Sequence, residues 1–165
     1  MKKNFISYIM MAVVTLFSFS CKKDLDIAGL EKNLPAISVS NLGLAQSGPF
    51  NATDVVNISF GATTTNTKPG KFKVEVLRSG SPATLVGTVN FDNWNGKDAT
   101  NTHSITFNTV PTTYPNTTVY NGTLSLKLSA VGVTAASIYN IKVTAYTTDD
   151  NVSSALTQSS LIVTK

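Results

Sequence analysis

The stretch S137-I-Y-N-I-K-V-T-A-Y-T-T-D-D-N-V-S-S-A-L-T-Q-S-S-L-I-V-T164 decides how the chain folds. Its first half alternates strictly: Tyr139, Ile141, Val143 and Ala145 fall on one side, with Asn140, Lys142 and Thr144 on the other. A period of two is that of a strand with one face in the core and one in water. The polar run T147-T-D-D-N151 then supplies turn chemistry, because Asp and Asn bond their own backbone and tolerate tight bends. A Ser/Thr-rich return run follows and ends in Leu161, Ile162 and Val163, three consecutive apolar residues that leave its facing ambiguous. The unit predicts a β-hairpin.

The same period recurs toward the N-terminus. Val56, Ile58 and Phe60 share one parity, as do Phe72, Val74 and Val76 against Lys71, Lys73 and Glu75. Leu85, Val89 and Phe91 form another set, followed by Ile105 with Phe107 and by Leu124, Leu126 and Leu128. In A36-I-S-V-S-N-L-G-L44 the parity shifts from Ile37 and Val39 to Leu42 and Leu44, which predicts a bulge or a crossing between sheets. Gly, Pro, Asn and Asp separate the runs, and no amphipathic helix of useful length occurs. The reading is an all-β, antiparallel sandwich of seven to eight strands over 35–165.

The 137–164 hairpin resembles the last hairpin of immunoglobulin-like and fibronectin type III-like domains. Those carry a Tyr near the start of the penultimate strand, then alternating apolar residues, a polar turn and a Ser/Thr-rich closing strand. The resemblance implies an immunoglobulin-like sandwich in which Tyr139 is the corner tyrosine, its hydroxyl bonded back to the backbone. The chain departs from antibody-type domains in lacking a cysteine pair, and its one tryptophan, Trp94, lies in the loop D92-N-W-N-G-K-D98 and not on an early core strand.

The N-terminus reads differently. Lys2 and Lys3 precede an uncharged apolar run from Phe5 to Phe19. As a helix that run spans about 22 Å, short of the ~30 Å hydrocarbon core of a bilayer. A positive start, a short apolar run and the small residues Ser18 and Ser20 predict a secretory signal over 1–20. The next residue is the only cysteine, Cys21. S18-F-S-C-K-K-D24 resembles the lipobox of bacterial lipoproteins, in the looser form found in Bacteroidota. The resemblance implies cleavage before Cys21, acylation of its sulfur and amine, and an acylated tether over 21–34. In that family an acidic patch after the cysteine directs export to the outer face; Lys22, Lys23, Asp24 and Asp26 match it in part. Several acyl chains at ~0.8 kcal/mol per buried CH2 hold far more firmly than one.

Removal of 1–20 leaves 145 residues, enough for one domain with a real core. Lys2 and Lys3 go with the signal, so 11 basic residues stand against 9 acidic ones, a net charge of +2. The basic residues are scattered, so the chain lacks the concentrated stripe that nucleic-acid binding requires. Thr, Ser and Asn supply 22, 14 and 14 residues of the 145, a bias toward strands and turns.

The catalytic inventory is thin. His103 is the only histidine, G-x-S-x-G is absent, and no second histidine or cysteine exists to build a zinc site. Glu31 and Glu75 are the only glutamates. Asp149, Asp150 and Asn151 lack the alternating calcium-loop signature. No enzyme activity, metal or cofactor is expected. The candidate ligand-binding loop region is Asp92, Trp94, Asn95 and Tyr114, where an aromatic ring could stack on a sugar and amides or carboxylates bond its edge. A lone tryptophan also commonly plugs the end of a sandwich, and the sequence leaves both readings open. The expected function is a non-catalytic envelope lipoprotein, anchored in the outer membrane, serving protein interaction, adhesion or structural support. The alternative is a glycan-binding accessory lipoprotein of a saccharide-uptake system. Expected partners are the membrane, through the lipid, and an envelope protein or glycan.

Overall fold

The computed structural model describes residues 34–165. Cys21 and the residues of the expected export signal, Lys22, Lys23, Asp24 and Asp26, lie outside the described residues, as do the expected 1–20 signal and all of the expected tether but Leu34.

Nine strands are present among the described residues: β1 (Ala36–Leu44), β2 (Val55–Thr65), β3 (Pro69–Arg78), β4 (Thr84–Phe91), β5 (Gly96–Lys97), β6 (Ser104–Val110), β7 (Thr117–Lys127), β8 (Ile138–Thr147) and β9 (Ser153–Val163). Eight are long and β5 is a two-residue stub. They form a five-stranded sheet, β1-β2-β7-β6-β5, and a four-stranded sheet, β4-β3-β8-β9. Every strand pair is antiparallel. The fold is an all-β sandwich of immunoglobulin-like character.

The alternating residues meet between the sheets. Val56, Ile58 and Phe60 of β2 face Phe72, Val74 and Val76 of β3, with Leu124 and Leu126 of β7 and Ile141, Val143 and Ala145 of β8, all buried. Each large aliphatic side chain so buried contributes roughly 1.5–3 kcal/mol relative to exposure. A short 3-10 helix, Leu128–Val131, follows β7 and buries Leu128 and Val131. The corner tyrosine is in place: the Tyr139 hydroxyl accepts the Thr134 amide at 2.8 Å.

Bulges explain where parity breaks. In β1 the register slips between Ser40 and Gly43, with Asn41 at φ 57°, and this carries Leu42 to the core beside Ile37 and Val39. The expected inward position of Leu85 is corrected by the structure. The β3–β4 register skips Val86, between the Gly87 and Leu85 pairings, so Leu85 turns outward and is 52% exposed. In β9 a slip near Ser160 (φ 52°) resolves the ambiguous end, with Ile162 fully buried and Val163 outside.

The pairing also defines two ends. Ala36 at the start of β1 pairs with Thr65 at the end of β2, so the chain enters at the end carrying the β2–β3, β4–β5, β6–β7 and β8–β9 turns. The starts of β2, β4 and β8 and the finish of β9 lie at the opposite end.

Candidate functional site

The loop after β4 divides its residues between core and solvent. Trp94 is 2% exposed. Its indole N–H donates to the Lys71 carbonyl at 3.2 Å. Phe60, Phe72 and Tyr120 meet the ring at centroid distances of 5.9, 5.5 and 5.7 Å, and Phe107 at 6.3 Å, all edge-on. Such edge-to-face pairs add roughly 0.5–1.5 kcal/mol beyond their area. Of the two readings left open for Trp94, the structure has the plug and not the exposed stacking platform: the indole fills the space between the sheets where β4 and β5 leave the sandwich open. Gly122 helps create the aromatic cluster, because a Cβ there would lie 2.0 Å from the Phe60 ring.

Asp92 and Asn95 stay exposed. Tyr114 is 73% exposed in the β6–β7 turn and does not line the cleft that holds Asp92. The structure thus separates the four expected loop residues into one core residue, two exposed neighbours and one remote tyrosine.

Asp92 instead joins residues that the sequence does not place beside it. A cleft of about 330 Å³ on the outer face of the four-stranded sheet is lined by Lys71 and Lys73 of β3, Asn90 and Phe91 of β4, Asp92, Tyr146 of β8 and Asp150. Lys71 forms an ion pair with Asp150, which raises the pKa of its ammonium. Farther along, Glu75 forms ion pairs with Lys73 and Lys142, each at 3.1 Å. Burial works to raise the Glu75 pKa, but the two ammonium groups outweigh it and hold the carboxyl below its ordinary value. Only strand register brings Tyr146 next to Lys71, since the two are far apart in sequence.

The one histidine is committed to structure. His103 is 4% exposed, and its Nδ1 accepts the Lys127 amide at 3.2 Å. Burial lowers its pKa, opposed by Asp98 and reinforced by Lys127. Asp98 accepts from the amides of Thr100, Thr102 and His103 at 3.2, 2.8 and 2.7 Å and from the Thr100 hydroxyl. Burial alone would raise its pKa; these donors bring it down to about 2. The carboxylate pins the 98–103 turn and has little capacity left for chemistry.

The outer face of the five-stranded sheet has another character. Asn41, Ser59, Gly61, Asn108, Asn121 and Thr123 line a polar concavity there. No charged residue occurs from Ala99 to Leu126, apart from the neutral histidine.

The chain matches no family profile and no curated protein. Among solved structures it is similar to astrotactin-2, described as a conserved vertebrate-specific and perforin-like membrane protein involved in neuronal development. That likeness has 10% identity and a TM-score of 0.38, and it covers 76% of this chain but only 21% of the other. A likeness so remote bears on neither partner nor chemistry.

Proposed function

We propose that this chain is a non-catalytic envelope lipoprotein, held at the outer membrane through acylated Cys21, whose β-sandwich docks a partner protein in adhesion or structural support. The observation that carries the reading is where apolar surface is exposed. Val55, Leu85, Ile138 and Val163 are 51, 52, 44 and 41% exposed, and all four lie at the end opposite the chain's entry. Ile138 and Val163 are direct cross-strand partners. Tyr114, 73% exposed, lies at the other end, and Leu34, 60% exposed, precedes β1; the four aliphatic residues that share one end favour contact with another macromolecule there. An open edge adds to this. β5 pairs only with Ser104 and Ile105, so among the described residues the rest of β6 has no strand on its outer side, and it carries no charged residue or proline to discourage pairing.

The test is photo-crosslinking in the native host, with a photoreactive residue at Ile138 and, as a control, at Thr63 on the other sheet. The expected result is one discrete adduct from position 138 that disappears when Leu85→Asp and Val163→Asp are added. An adduct at twice the chain mass would identify a second copy as the partner. Equal labelling from both positions would defeat the proposal.

A second reading, the glycan-binding accessory lipoprotein, is favoured by one observation: the Asp92 cleft contains a tyrosine and a carboxamide beside the carboxylate.

A further inference from the structure

We infer that the Lys71–Tyr146 cleft binds a ring of a neutral saccharide, with Tyr146 as the apolar platform and Asp92 and Asn90 reading the hydroxyls; the inference rests on the glycan reading. Three features of the cleft support it.

The first is the distribution of used and unused polar groups. Lys71 is held by Asp150, and Lys73 by Glu75. Among the described residues, the Asn90 carboxamide, the Asp92 carboxylate and the Tyr146 hydroxyl make no hydrogen bond within the protein, although all three residues line the same cleft. A carboxylate accepts from two hydroxyls at once, and a carboxamide both donates and accepts. Those are the complements of a sugar's edge.

The second is charge. Lys71 and Lys73 face Asp92 and Asp150, two of each sign. A balanced cleft exerts no net pull on an anion or a cation, so the ligand that gains most there is uncharged and rich in hydroxyls. The third is rigidity. Lys71 and Lys73 sit on β3, Asn90 on β4 and Tyr146 on β8, three hydrogen-bonded neighbours of one sheet. Groups placed on strands keep their spacing better than groups on a free loop. The volume of about 330 Å³ falls at the small end of the ~300–1,000 Å³ range of small-molecule sites.

The cleft also has a built-in reporter. Trp94 is the only tryptophan, and its N–H is bonded to the carbonyl of cleft residue Lys71. Purified full-length protein is titrated with maltohexaose, cellohexaose, xylohexaose and mannohexaose, and with an anionic galacturonate hexamer. Both tryptophan fluorescence and calorimetry are read. The expected result is saturable binding of at least one neutral hexasaccharide. It is weakened at least tenfold in Tyr146→Ala, severalfold in Asp92→Asn and in Asn90→Ala, and retained in Tyr146→Phe, which keeps the ring. Asp92 is exposed, so its variant tests the site even if Tyr146→Ala disturbs folding. A neutral saccharide that binds Tyr146→Ala and Asp92→Asn undiminished would overturn this site while leaving the glycan reading standing. Binding of none of the neutral saccharides would overturn both, and preference for the galacturonate would overturn the neutral-ligand assignment.

Discussion

Asp98 and His103 pin one turn together, yet they respond to acid in separate ranges. The folded pKa of His103 lies below its ordinary 6.5, so the unfolded chain takes up a proton first. Its contribution is complete above pH 6.5 and fades as the pH falls through that value toward the folded one. Asp98 drops from 3.8 to about 2, so its contribution persists above about pH 4 and is lost between there and pH 2. That depression corresponds to about 2 kcal/mol. Denaturant unfolding from pH 8 to pH 2 should show two losses of stability. His103→Gln should remove the first and Asp98→Asn should diminish the second, to which Glu75 and Asp149, also held below their ordinary values, contribute; an unchanged pH profile in either variant would contradict the assignment. Tyr139 offers a neutral counterpart. Tyr139→Phe leaves the Thr134 amide without its acceptor and should cost about 1–2 kcal/mol, read as a lower denaturant midpoint. The role of Tyr139 was legible through the resemblance of the 137–164 hairpin to immunoglobulin-like domains, which carry a corner tyrosine at the head of this strand. That of Trp94 was not, because D92-N-W-N95 has a loop's composition whether the indole points out or in.

At the scale of elements, alternation located the strands and bulges set the exceptions. The β1 slip was visible because Ile37, Val39, Leu42 and Leu44 break parity within one run. The β4 slip left no such trace: Leu85, Val89 and Phe91 keep one parity in sequence, and only pairing with β3 shows that Val86 is the extra residue. Glycines record how closely the elements approach one another. A Cβ at Gly122 would meet the Phe60 ring, itself stacked on Phe72 at 5.0 Å, whereas one at Gly43 would find its nearest neighbour at an ordinary 3.5 Å. Gly122→Ala should therefore destabilise the fold by about 1–3 kcal/mol, the usual range for overpacking. Gly43→Ala should stay within about 0.5 kcal/mol of the parent. Denaturant midpoints of the two variants test the contrast.

For the molecule as a whole, the two faces of the sandwich and its two ends divide the proposed work. Charged residues and the cleft proposed for a saccharide occupy the outer face of the four-stranded sheet, and a concavity of uncharged Ser, Thr and Asn lies on that of the five-stranded sheet. Four exposed aliphatic residues, Val55, Leu85, Ile138 and Val163, lie at the end away from the chain's entry, while Tyr114 is exposed at the other. On the proposed lipoprotein reading, anchoring would belong to a separate segment, so the two properties should separate experimentally. Cys21→Ser should abolish palmitate incorporation and membrane partitioning in the native host. It should leave the unfolding midpoint of the domain within about 0.5 kcal/mol. A variant that still fractionates with membranes and carries lipid mass would remove the anchor from the account.

The sequence by itself determined most of the strands and most of their inward faces, because a period of two and the chemistry of turns act between residues close along the chain; the corner tyrosine came from the resemblance to immunoglobulin-like domains. Only the tertiary structure decided that Trp94 is core, that Leu85 faces water, and that Tyr146 shares a cleft with Lys71, Asn90 and Asp92. Those outcomes depend on which strands pair and in what register. Pairing is settled by burial across the whole sandwich, and no local pattern encodes it.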